Sequence, residues 1–117
     1  LMEPQANQTQ VIRRGEGPKV VAELANYQAI LLATCPPGAR RDIYLLLTQP
    51  EGERLSQPHP AGSVEHIIVT QGRALVGLAE APEELHAGDY ICYPADRAHV
   101  FRALEPDTQA ILVAEQN

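Results

Sequence analysis

The chain has no tryptophan, one phenylalanine, one methionine and only two cysteines among 117 residues. No apolar run approaches the ~20 residues that a membrane-crossing helix needs. Two cysteines, Cys35 and Cys92, cannot make a disulfide framework, so a cytoplasmic protein with reduced thiols is expected. Cys92 falls inside a strand-like segment, where a small buried hydrophobe is the expectation. Positive charge is scarce too, with 9 Lys and Arg against 15 Asp and Glu and a net charge of −6. Phosphate backbones are held by Lys and Arg, so this segment is not expected to touch nucleic acid directly. The two basic doublets, Arg13-Arg14 and Arg40-Arg41, have no aromatic interleaving and read as solvated surface.

Long helical periodicity is also missing. No amphipathic stretch exceeds eight residues, and Pro82 shortens the one helical turn that Glu80–Leu85 would allow. Instead there are 10 prolines and 8 glycines, set between short aliphatic runs. Leu1–Gln10 reads as a polar tail or linker, and 11–117 as a single domain. Strands are expected at Val11–Arg14, Lys19–Ala25, Tyr27–Thr34, Arg41–Thr48, Val64–Thr70, Arg73–Ala79, Glu84–His86, Tyr90–Tyr93, Ala98–Leu104 and Thr108–Ala114. About ten short antiparallel strands, broken by turn residues, give an all-β sandwich or a barrel closed from two sheets.

Alternation along these strands singles out a few polar residues. Glu65 shares a strand face with Ile67 and Val69, while His66 lies on the other. A carboxylate aimed into an aliphatic interior is costly unless it is paired, hydrogen-bonded or metal-bound. His99 shares a face with Phe101 and Ala103. His59 sits just before the first of these strands, confined by flanking prolines. Convergence of His59, Glu65 and His99 would make a 2-His-1-carboxylate set, suited to one divalent ion such as Zn, Fe, Mn or Ni. Gln57, Tyr44, Ile67, Tyr93 and Phe101 are the expected ligand-binding residues, within aliphatic walls that add Ile30, Leu45, Val69 and Ile91. His66 is expected to face solvent or another subunit, and His86 to be exposed.

The spacings Glu65-x6-Gly72 and Gly88-x5-Pro94-x4-His99 resemble the paired motifs of the cupin superfamily. That resemblance implies a double-stranded β-helix, a jelly-roll-like barrel. Two departures stand out: His59 is alone before Glu65, with Gln57 in its partner's place, and Ala103 replaces the usual Asn. The stretches His59–His66 and Leu85–His99 further resemble the C-terminal sensor barrel of XRE-type helix-turn-helix regulators. This likeness implies a homodimeric cytoplasmic regulator whose barrel binds a small-molecule effector and reaches DNA only through a separate N-terminal domain. With Leu1 preceding Met2 and a linker-like start, the chain is expected to be a piece of such a longer protein. The alternatives are a metal-dependent oxygenase, isomerase or lyase, with Tyr44, Tyr93 or Glu23 left to move protons, and a purely structural dimerisation barrel.

Overall fold

Short β-branched runs separated by Pro and Gly do form ten strands, though not quite the ten expected. The computed structural model describes residues 13, 18–22, 27–33, 41–51 and 54–116. Five strands lie in the first half of the chain: β1 (Lys19–Ala22), β2 (Tyr27–Ala33), β3 (Arg41–Thr48), β4 (Arg54–Ser56) and β5 (Val64–Gln71). The others are β6 (Arg73–Leu78), β7 (Glu83–His86), β8 (Tyr90–Pro94), β9 (His99–Ala103) and β10 (Thr108–Glu115). Among the described residues there is no helix, and so none long and apolar enough to cross a membrane. The segment at Glu80–Leu85 is a turn running into β7.

Every pairing is antiparallel. One sheet has the order β1-β2-β3-β10-β5-β8 and the other β4-β9-β6-β7. The expected strand at Val11–Arg14 lies outside the described residues apart from Arg13, as do the tail at 1–10, Glu23 and Cys35. The strand β4 had no sequence signal, because its one apolar residue, Leu55, is 52% exposed.

Alternation sets the core. On β5, Glu65, Ile67 and Val69 are buried while Ile68 and Thr70 are exposed. On β9, His99, Phe101 and Ala103 are buried between them. Leu46, Ala74, Val76 and Ala110 complete a fully enclosed apolar layer. Burial of side chains such as Ile67 and Val69 is worth about 1.5–3 kcal/mol each.

The spaced glycine of the first motif has a structural cause. Gly72 turns β5 into β6 with φ +83°, and a Cβ there would stand 2.4 Å from Thr108 Oγ1. That hydroxyl bridges the carbonyls of Arg73 and Glu105, so it has no room to retreat. Only glycine satisfies both the left-handed backbone and the close approach. Cys92, expected to be buried, is exposed. The strand's parity is set by Tyr93, which points inward and turns its neighbour out.

Candidate metal and ligand site

Two loops hold His59 in place. Its backbone N–H donates to Ala95 O at 2.9 Å, and Ala95 N–H donates to Ser63 O at 2.8 Å. Ser63 Oγ closes its own turn onto Pro60 O at 2.6 Å, and Gly62 N–H donates to Asp96 Oδ2 at 3.0 Å. The loop before β5 is thus laced to the loop after β8, which carries the chain on to His99. This lacing brings the histidine of the first motif to the histidine of the second. Their rings meet edge to face, with centroids 4.9 Å apart.

Between them lies Glu65, only 5% exposed, beside His99 at 4%. Register places Glu65 opposite Tyr93, whose hydroxyl donates to Glu65 Oε1 at 2.5 Å. The other oxygen, Oε2, stands 3.6 Å from His59 Nδ1 and 3.6 Å from His99 Nε2. His99 Nδ1 lies 2.8 Å from the carbonyl of Arg97. A carbonyl accepts only, so Nδ1 carries a proton; His99 then faces Glu65 with an Nε2 lone pair when neutral and with an N–H when protonated.

Burial alone would raise the Glu65 carboxyl. Hydrogen bonds from a His99 protonated on both nitrogens and from the Tyr93 hydroxyl, and then the charge on His99 and His59 when protonated, outweigh burial and hold it below its ordinary 4.5. Burial, followed by the Glu65 charge and hydrogen bond, pushes the Tyr93 hydroxyl far above its ordinary value. Tyr44 is raised as well, by burial and then by Asp42 and Glu65.

The ligand atoms of His59, Glu65 and His99 all lie within 4.8 Å of one another. Two ligands on one first-row ion at about 2.1 Å stand roughly 3.0–3.4 Å apart, close to the 3.6 Å seen here. A neutral imidazole lone pair facing a carboxylate oxygen is unfavourable without a proton or cation between them. The donor set therefore fits a divalent ion, and the Arg97 carbonyl would supply the outer hydrogen bond that orients a ligating imidazole.

This group lines a cavity of about 240 Å³. Tyr44, Ile67, Tyr93 and Phe101, all nominated from sequence, line it. Gln57 does not: it is exposed, and Ser56, one residue earlier on β4, takes the wall position. Ile30, Leu45, Val69 and Ile91 are also absent from the lining. Leu45 lies opposite Ile30, on the outer face of the larger sheet, because Tyr44 and Leu46 point inward. The walls are completed by Leu112 and Ala114 of β10 and by Asp42, Tyr27 and Gln116, none of which was expected. Asp42 was within reach of sequence reasoning, since it shares a strand parity with Tyr44. The β10 residues required the register of a distant pairing. His66 and His86 stay outside this group, His86 with its side chain 61% exposed.

The family model for the cupin domain matches residues 45–114. No curated protein matches the chain by sequence. Among solved structures, an HTH_3 family transcriptional regulator from Vibrio cholerae aligns with TM-score 0.77 and 20% identity. The alignment covers 85% of this chain and 56% of that one, so the chain spans just over half the regulator's length. The cupin domain of an XRE family transcriptional regulator from Enterobacter cloacae aligns at TM-score 0.70 and 17% identity, over 79% of this chain and 97% of that one. KdgF from Halomonas sp. aligns at TM-score 0.74 and 20% identity, over 94% and 96%. At these identities the likeness is one of fold.

Proposed function

The chain belongs to the cupin domain family, and we propose that it is a small-molecule-binding domain, the effector-sensing part of a cytoplasmic transcriptional regulator. The observation that carries this reading is a cavity in which the rings of Tyr27, Tyr44, Tyr93 and Phe101 stand beside the converging Glu65, His59 and His99. A few fixed polar groups beside apolar and aromatic side chains orient a small ligand. The regulators among the structural neighbours support the same reading.

His59, Glu65 and His99 would hold one divalent ion, and such an ion would polarise a ligand oxygen. A carboxyl held below its ordinary range is a weak base, and the raised Tyr93 and Tyr44 hydroxyls are weak acids. Effector binding would favour one arrangement of a homodimer by the difference in affinity between two states. An apolar row for that dimer runs across the outer face of the larger sheet through Leu45, Ile111, Ile68 and Tyr90.

Two measurements test the proposal. A screen of small metabolites by thermal unfolding should find compounds that raise the melting temperature of the wild type and not of Glu65→Gln, with both proteins folded. The reading frame upstream of Leu1 should encode a helix-turn-helix. A screen with no effect, or an equal effect on Glu65→Gln, contradicts the binding site. An upstream frame without that domain contradicts the regulator.

A further inference from the structure

Each of the two buried ligand candidates, Glu65 and His99, has a fixed partner behind it. For His99 the partner is the Arg97 carbonyl, which Nδ1 meets at 2.8 Å. For Glu65 it is Tyr93, whose hydroxyl donates to Oε1 at 2.5 Å, the length of a charge-assisted O–H···O bond. His59 and His99 face the other oxygen, Oε2, at 3.6 Å each. Both imidazoles thus converge on one carboxylate oxygen, and Tyr93 engages the second.

Three constraints hold Tyr93 in this place. It lies directly opposite Glu65 in the β5–β8 register. Its side chain is buried in the core. Its ring packs on that of His99, with centroids 5.5 Å apart. Burial, with the Glu65 charge after it, keeps the hydroxyl protonated far above neutral pH. Tyr93 is therefore a permanent donor and not a phenolate ligand.

A carboxylate can take a divalent ion on one oxygen or on both. For both Glu65 oxygens to reach one ion, Oε1 would have to give up the Tyr93 bond. That exchange would leave a buried hydroxyl without its partner, which is costly.

We propose that Tyr93 is a positioning residue that keeps Glu65 a one-oxygen ligand. One more coordination position then stays open to water or to a ligand atom from the cavity. Without the hydroxyl, Glu65 would be free to chelate with both oxygens and to close that position. The inference rests on the metal-binding part of the reading above, and adds to it the group that sets how many positions remain open.

Manganese(II) is the probe, because its electron spin reports how many waters it holds. Chelator-treated wild type, Tyr93→Phe and Tyr90→Phe are each loaded with it. Coordinated water is then counted by pulsed electron spin resonance in deuterated water. Tyr93→Phe is expected to hold about one water fewer than the wild type. Tyr90→Phe is the control for loosened strand pairing. Its hydroxyl joins the same two strands on the outer face, through His66 at 2.7 Å. This variant should keep the wild-type count. An unchanged count in Tyr93→Phe, or an equal loss in Tyr90→Phe, overturns the role of Tyr93 and leaves the metal site standing. Failure of the wild type to bind either manganese or zinc overturns the metal reading and this inference with it. Should Tyr93→Phe not fold, a crystal structure of the zinc-loaded wild type decides. It should show the ion on Oε2 and the Tyr93 hydroxyl still on Oε1. An ion shared by both oxygens, or one that displaces the tyrosine, overturns the proposal.

Discussion

Tyr93 gives its hydroxyl hydrogen to Glu65 Oε1 at 2.5 Å across the β5–β8 pair. This contact divides the two carboxylate oxygens by task. One is satisfied by the protein, and the other faces His59 and His99 in the cavity wall. A buried carboxylate with a single permanent donor is anchored yet still has an oxygen to offer a ligand.

Removal of that donor should therefore cost stability as well as binding. Tyr93→Phe keeps the ring in the core and strands a buried Glu65 oxygen, for an expected loss of about 1–3 kcal/mol in urea unfolding. The Glu65 carboxyl should move up towards its ordinary value, which carbon-detected NMR titration would read. An unchanged unfolding free energy would mean that the contact contributes nothing.

Acid should weaken the fold through the same carboxyl. Its folded value lies below the ordinary 4.5, so the ionised form is favoured in the native state. The stability it contributes is present above 4.5 and is lost as pH falls through the folded value. Unfolding free energies of the wild type and Glu65→Gln, measured between neutral pH and about pH 3, should converge as the pH drops. A constant difference would show that Glu65 does not titrate in this way.

Gly72→Ala should destabilise the barrel without direct effect on the site. The new methyl would meet Thr108 Oγ1 in a backbone region that alanine avoids, for a cost of about 1–3 kcal/mol. Chemical unfolding would show the loss, and metal or ligand affinity of the remaining folded protein should match the wild type. A neutral substitution would mean that the turn relaxes at no cost.

Local alternation made much of this legible in advance. The inward parity of Glu65 followed from Ile67 and Val69, and that of His99 from Phe101, with no knowledge of how the strands pair. What stayed hidden depends on pairing between distant segments. The Tyr93 bond to Glu65 exists because β8 lies beside β5 in one particular register. Asp42 and Ala114 entered the cavity wall through β10, which sits between β3 and β5. The short β4 carried no hydrophobic pattern, so Gln57 was assigned to a wall that Ser56 occupies. Cys92 was misjudged for a related reason: a five-residue strand has two faces, and composition alone does not say which one is covered.

His59, Glu65 and His99 acting as a single binding site is the claim on which the others depend. The four histidine side chains offer a direct test, by NMR of their ring nitrogens during titration of chelator-treated protein with zinc. At the first equivalent, the His59 and His99 rings should shift together, and Glu65→Gln should reduce that response. His66, bonded to Tyr90 and Glu115, and the exposed His86 should stay unmoved. Zinc that shifts His86 first, or that moves only one ring of the buried pair, would contradict the account.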